Sequence, residues 1–423
     1  MTQPGVIRID DLGHPRLPRP LRAANALGAA LAPRLVALEP AALLEAACRK
    51  TGLRDFGADD FREPLAVLLG ALRREAGLSA LGYVTSRAML VQLLVNRLRL
   101  EALIRQHPEI EAERITRPLV IAGLPRTGTT HLHNLISQDT ALRSLPYWES
   151  LEPFPNPREM PPRKSWQEGR DPRVLRCERG LRFQDWVMPH FKRMHEMSPQ
   201  ARHEEIHLLA MAFSTMLFES AWPVPSYAAW YKSHDQSFAY RYLERVLKAL
   251  QWLRGPKRWV LKSPQHLEQI QPLLEVFPDA RFVQTHRDPL RITASLCTMI
   301  TYGTRMQARH VDAHKLGRYW AARSEDLLRA SVTQRAHLSE EQTFDVHFQE
   351  FMKDDLAMVE RVLAFADHPL SDEARAAMQK FLAENPRGKH GSVEYVLEDV
   401  GVDPAERRRA LRFYVERFGV AEE

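Results

Sequence analysis

Cysteine is scarce: the 423 residues contain three, Cys48, Cys177 and Cys297. They lie too far apart for a disulfide framework and none forms a Cys-x-x-Cys pair, so a reducing compartment is expected. Long apolar runs are lacking as well. Those present, such as Pro64 to Leu72, fall far short of the ~20 residues a membrane-spanning helix needs. The opening stretch, Met1 to Asp11, has no basic cluster ahead of an apolar segment, which argues against a signal peptide and for a cytoplasmic chain. Blocks of a single charge are missing too. The formal net charge of +6 is spread among interspersed acids, no nucleic-acid-reading motif occurs, and aromatics do not alternate with a basic stripe, so nucleic acid is not an expected partner.

What is present is an ordinary globular composition, 44% apolar and 26% charged, long enough for one large domain or two to three smaller ones. Leu21 to Arg105 reads as helix, with apolar residues at helical spacing from Leu81 to Leu100. At Pro118 the texture changes: a short apolar run, Leu119 to Ala122, enters a Gly- and Thr-rich turn and then a helical pattern, His131 to Ser137. Further strands are expected at Arg258–Lys262, Arg281–His286 and Thr343–His347, with a helix over Pro264 to Glu275 and an extended, proline-dense loop from Pro146 to Gly169. Strands alternating with helices imply a parallel sheet. The expected fold class is therefore α/β, a P-loop-type mostly parallel sheet flanked by helices, with an N-terminal helical region (1–115) and an α/β domain (116–423) that carries a helical cap at about 170–255.

The turn Gly123-Leu-Pro-Arg-Thr-Gly128-Thr-Thr130 has the phosphate-loop frame G-x-x-x-x-G-K-[ST], with Thr129 in place of the lysine. The strand candidates end in Lys262 and His286 rather than in an acid, so the magnesium ligands of a nucleotide triphosphatase are missing and a P-loop kinase reading loses its support. The cation has moved into the loop as Arg126. Backbone N–H groups from Arg126 to Thr130, the hydroxyls of Thr127, Thr129 and Thr130, and the positive end of the following helix would cradle a phosphosulfate without a metal.

Pro125-Arg-Thr-Gly-Thr-Thr130 resembles the phosphosulfate loop of the sulfotransferases that use 3'-phosphoadenosine 5'-phosphosulfate (PAPS). With Arg in place of Lys it is most similar to the bacterial branch and to tyrosylprotein sulfotransferases. The family's second signature, an Arg at a strand end and a Ser in the next helix on the 3'-phosphate, matches Arg287 and Ser295. Asn385 to Gly391 is similar to the basic loop that closes over that phosphate, which implies roles for Arg387, Gly388 and Lys389; the plainer alternative is a basic turn. The resemblance spans Arg117 to Ile300 and Phe344 to Phe418.

It implies PAPS as co-substrate, no metal, and a hydroxyl-bearing small-molecule or lipid-like acceptor. Lys262 is the implied transition-state cation beside Arg126. For the base, Glu149 ranks first, at the interval found in tyrosylprotein sulfotransferases, and His266 second, by analogy with cytosolic sulfotransferases. A rival reading comes from His203-Glu-Glu-Ile-His207, which matches the H-E-x-x-H zinc-protease pattern with Glu204 as base, although Ala210 and Phe213 stand where its extended form needs Gly and His. Leu208 to Phe218, with Trp222, Tyr227, Trp230 and Tyr231, reads either as helix core or as an apolar acceptor pocket, core being the commoner outcome for such stripes. His195 reads as a surface histidine or as an acceptor contact.

Overall fold

The computed structural model describes residues 5–159, 171–386 and 388–423. Among the described residues seven strands occur: β1 (Val6–Arg8), β2 (Leu119–Ala122), β3 (Leu142–Arg143), β4 (Arg258–Lys262), β5 (Arg281–His286), β6 (Thr343–His347) and β7 (Ser392–Glu394). Five of them form a parallel sheet in the order β3-β4-β2-β5-β6, and β1 pairs with β7 apart from it. Every residue of β2 is buried, as a continuous apolar run requires of a strand covered on both faces.

Side-chain alternation along β2 divides the interior in two. Leu119 and Ile121 face a cluster with Leu132, Leu135, Phe351 and Val359, whereas Val120 and Ala122 face the larger cluster shared with the N-terminal helices and the 206–250 region. A two-residue period sends neighbours to opposite faces. Each fully buried Leu or Phe contributes about 1.5–3 kcal/mol relative to exposure, so register follows from this pattern. Buried Arg97, in the long helix Ala80–Gln106, joins the regions on the larger side. It donates to the carbonyls of Phe56 (2.8 Å), Ala58 (2.8 Å) and Met211 (3.2 Å), and without such acceptors burying a guanidinium would be prohibitive.

The four strands read from the sequence form at those positions. The extended loop expected from Pro146 is instead interrupted by a short helix, Tyr147–Leu151, and its second half, from Met160, lies outside the described residues. The helix expected over Pro264 to Glu275 is two pieces, a 3₁₀ turn Pro264–Leu267 and a helix Ile270–Val276. It breaks at Glu268, whose carboxylate holds Arg323 at 2.6 and 2.8 Å. Among the described residues no helix is long and apolar enough to cross a membrane.

Candidate active site

The carboxyl ends of β2, β4 and β5 lie side by side, the place where open parallel sheets form ligand crevices. After β2 the chain turns through Gly123 to Thr130 into the helix Thr129–Ile136. Gly123 is required by contact, since a Cβ there would sit 2.1 Å from the Thr285 hydroxyl. Gly128 has φ +94° and makes no side-chain cap, leaving the first amides of the helix facing outward. Arg126 also adopts a left-handed conformation, φ +77°, uncommon for a residue with a Cβ and a form of strain that clusters at functional sites. Its guanidinium donates to the Met194 carbonyl at 2.6 Å. Thr127 departs from expectation: its hydroxyl is buried between the Leu124 carbonyl (2.7 Å) and Thr285 Oγ1 (2.6 Å), so it braces the loop against β5.

Arg287 follows β5 and reaches across to this loop, Nη1 donating to the Arg126 carbonyl at 3.0 Å. It stacks on Phe348, 3.9 Å from the ring centroid. Its Nε and Nη2 both meet the Glu423 carboxylate at 2.8 Å, so a planar anion already sits in the fork. Ser295 is buried and donates back to the Ile292 carbonyl at 3.0 Å. Gly388 and Lys389 come in from the C-terminal part of the chain, where the β1–β7 pairing anchors the turn; Lys389 bonds Glu196 (2.7 Å) and Asn385 (2.8 Å). Arg387 lies outside the described residues.

Lys262, at the end of β4, donates from Nζ to Glu204 Oε1 at 2.7 Å and from its backbone to Glu205 Oε2 at 2.9 Å. Glu205 also bonds His266 Nε2, whose other ring nitrogen meets Tyr240 at 2.8 Å. Burial pushes the Glu205 carboxyl up, but His266 and the Lys262 amide outweigh it and hold the group below the usual carboxylate range. His266 is thereby a fully buried strut, not a group open to an acceptor. Glu149 is likewise misplaced for a base: its two oxygens are held by Arg143 (2.8 Å) and Arg254 (3.1 Å), and it is 2% exposed.

A cavity of ≈1190 Å³ unites Arg126, Gly128, Thr129, Thr130, Arg287, Gly388 and Lys389. Thr127, Ser295, Glu149 and His266 do not border it, and Lys262 sits behind Glu204. Its far wall carries His195, His203, His207 and Tyr147 among methionines such as Met89, Met216 and Met299. His195 is half-buried and lines the cavity. Burial, with Lys262 and Arg126 nearby, pushes its imidazole down to about 4; burial alone takes His207 to about 4, so both are neutral at pH 7.

Most of Leu208 to Phe218 is core, together with Trp222, Tyr227 and Tyr231; Met216 and Leu217 alone of that stretch reach the cavity. The zinc-protease pattern required both histidines on one helical face, but the helix starts at Ile206, which leaves His203 and Glu204 in the preceding turn. Glu204 borders the cavity, as does Glu196, which is bonded to Lys389. The signal for Glu204 was present in His203 to His207, read there as metal chemistry.

The sequence pattern of the sulfotransferase family matches residues 118–372. The chain belongs to that family. Among solved structures, this sulfotransferase is similar to STF1 from Mycobacterium tuberculosis H37Rv, with 32% identity, TM-score 0.77, and coverage of 89% of this chain and 98% of that one. It is also similar to STF9 from Mycobacterium avium, with 27% identity, TM-score 0.80, and coverage of 90% and 97%. No curated protein matches in sequence. The expected fold and enzyme class therefore hold, and a sulfotransferase requires a sulfuryl donor.

Proposed function

We propose that the sulfotransferase moves a sulfuryl group from PAPS to a hydroxyl of an apolar, lipid-like acceptor by metal-independent in-line displacement. The observation that carries this reading is the 3.0 Å bond from Arg287 to the Arg126 carbonyl, because it ties two motifs distant in sequence to one cavity wall. In this proposal Arg126, Gly128, Thr129 and Thr130 hold the phosphosulfate through backbone amides, hydroxyls and the helix terminus. Arg287, Gly388 and Lys389 grip the 3'-phosphate. Arg387 belongs to that grip on its sequence position, and Ser295 joins it once its hydroxyl leaves Ile292.

Glu204, rather than Glu149 or His266, takes the acceptor proton. As the acceptor oxygen bonds to sulfur, the bond from sulfur to the 5'-phosphate oxygen breaks and Arg126 stabilises the charge that develops on the departing phosphate; Lys262 joins it once Glu204, protonated by the acceptor, releases its ammonium. A positioned base contributes about 10²–10⁴-fold and a preorganised donor about 10²–10³-fold. A sulfuryl group carries less negative charge than a γ-phosphoryl group, so these fixed cations suffice. Neutral His195 and His203 add hydrogen-bonding capacity without further charge.

The test is incubation with PAPS and a panel of hydroxylated compounds in the presence of chelator, with 3'-phosphoadenosine 5'-phosphate (PAP) measured by mass spectrometry. Acceptor-dependent PAP release is expected. Absence of any calorimetric uptake of PAPS or PAP would sink the reading.

A further inference from the structure

A second cavity, ≈430 Å³, lies between the first half of helix Ala80–Gln106 and helix Pro172–Val187. It adjoins the first, for Met89, Tyr147, Gln184 and His207 border both. Its walls are Leu93, Trp148, Leu151, Cys177 and Leu181. The charges at its edge are matched internally: Arg176 grips Glu152 at 2.7 and 2.8 Å, and Arg173 bonds Asp171 at 2.7 Å and the Pro153 carbonyl at 3.0 Å. Burial pushes the Cys177 thiol up to about 12, so it too stays uncharged.

Gly180 borders this cleft in mid-helix, where glycine is disfavoured. Gly180 is exposed and nothing lies within 4 Å of the place a Cβ would occupy, so it stands at the open mouth of the cleft. The same two helices carry the exposed apolar residues Val84 (55%), Phe183 (38%) and Trp186 (48%), of which Val84 is adjacent in sequence to Thr85 and Phe183 is one turn from Gly180. An uncharged, slim ligand is the kind such walls accept, because burying a charge there would leave it unpaired.

We infer that this cleft receives the apolar tail of the acceptor, which passes over Met89 and Gln184, alongside the packed rings of Tyr147 and His207, while its hydroxyl lies at Glu204. The acceptor class is thus a long-chain amphiphilic alcohol rather than a compact aryl or sugar hydroxyl. This rests on the transferase reading for the position of the hydroxyl, but the cleft itself is testable without turnover.

Titration of the full chain with primary alcohols from butanol to dodecanol, followed by calorimetry, is compared among wild type, Gly180→Leu and Gly180→Trp, with folding checked by circular dichroism. Leucine is the safer helix residue should tryptophan prevent folding. Wild-type affinity should rise along the series, and plugging should lower dodecanol affinity at least tenfold and flatten the rise; PAP release with dodecanol should fall in parallel. Wild-type affinity independent of chain length, or variants with an unchanged length dependence, would overturn the proposal. Titration with PAP separates the two readings. Lost PAP uptake with intact chain-length dependence removes the transferase reading alone, and intact PAP uptake without chain-length dependence removes the cleft alone.

Discussion

On the donor side of the cavity, each contact comes from a short contiguous stretch: 123–130 after β2, Arg287 after β5, and the turn at Gly388 and Lys389. On the acceptor side, Met89, Tyr147, His195, Glu204 and His207 arrive from separate helices and turns, and most have neighbours in sequence that belong to the core. In the proposed function the donor is recognised by backbone amides and fixed cations, which demand particular residues at particular spacings. An apolar acceptor requires only shape and the absence of charge, and many sequences meet that demand. One half of the site is therefore a motif and the other a cavity.

The sharpest way to break the comparison is at the junction of the halves. Glu204→Gln should lower kcat by about 10²–10⁴-fold while calorimetry finds PAP binding intact. Glu149→Gln, which leaves two arginines without their buried carboxylate, should instead cost up to about 3–5 kcal/mol of stability, with kcat of the folded enzyme near wild type. The reverse outcome would return Glu149 to the role of base. On the donor side alone, Arg287→Gln should weaken PAP binding about 10–100-fold, the worth of a charged hydrogen-bond pair, and leave alcohol binding unchanged. A donor-side variant that altered alcohol affinity would show that the halves are not separate.

Smaller effects sharpen it further. Glu423 occupies the fork of Arg287 at 2.8 Å and must yield to a phosphate, so Glu423→Gln should raise PAP affinity a few-fold by calorimetry; a loss would mean that Glu423 orients Arg287 instead. On the acceptor wall, His195 and His207 are lowered from 6.5 to about 4. The unfolded chain then binds more protons than the folded one between these values, so their contribution is complete above pH 6.5 and declines as pH falls towards 4. Tm should drop through that window, and less steeply in a His195→Gln, His207→Gln double variant.

The central strands and the phosphosulfate loop were legible because their signals are local. An all-apolar run such as Leu119 to Ala122 meets its partners wherever they come from, and a glycine at φ +94° is required by the turn itself. The edge strand Leu142–Arg143 and the Val6–Arg8 pairing with Ser392–Glu394 were missed, since two or three residues carry no period. Thr127 satisfied the motif by type, but its hydroxyl turned inward because Thr285 lies beneath it at 2.6 Å. Ser295 was placed by spacing and found bonded within its own helix.

The surroundings of the carboxylates were not legible for a related reason: Glu149 and Glu204 are both acids near aromatic or histidine residues, and sequence does not say which meets two arginines and which meets the ammonium of Lys262. By itself, then, the sequence determined the fold class, the family and the glycine-containing loop after β2, because these depend on patterns within a few neighbouring residues. The tertiary structure decided which of these two carboxylates borders the cavity and which stripe is core, because each depends on the distance between segments that the chain brings together only on folding.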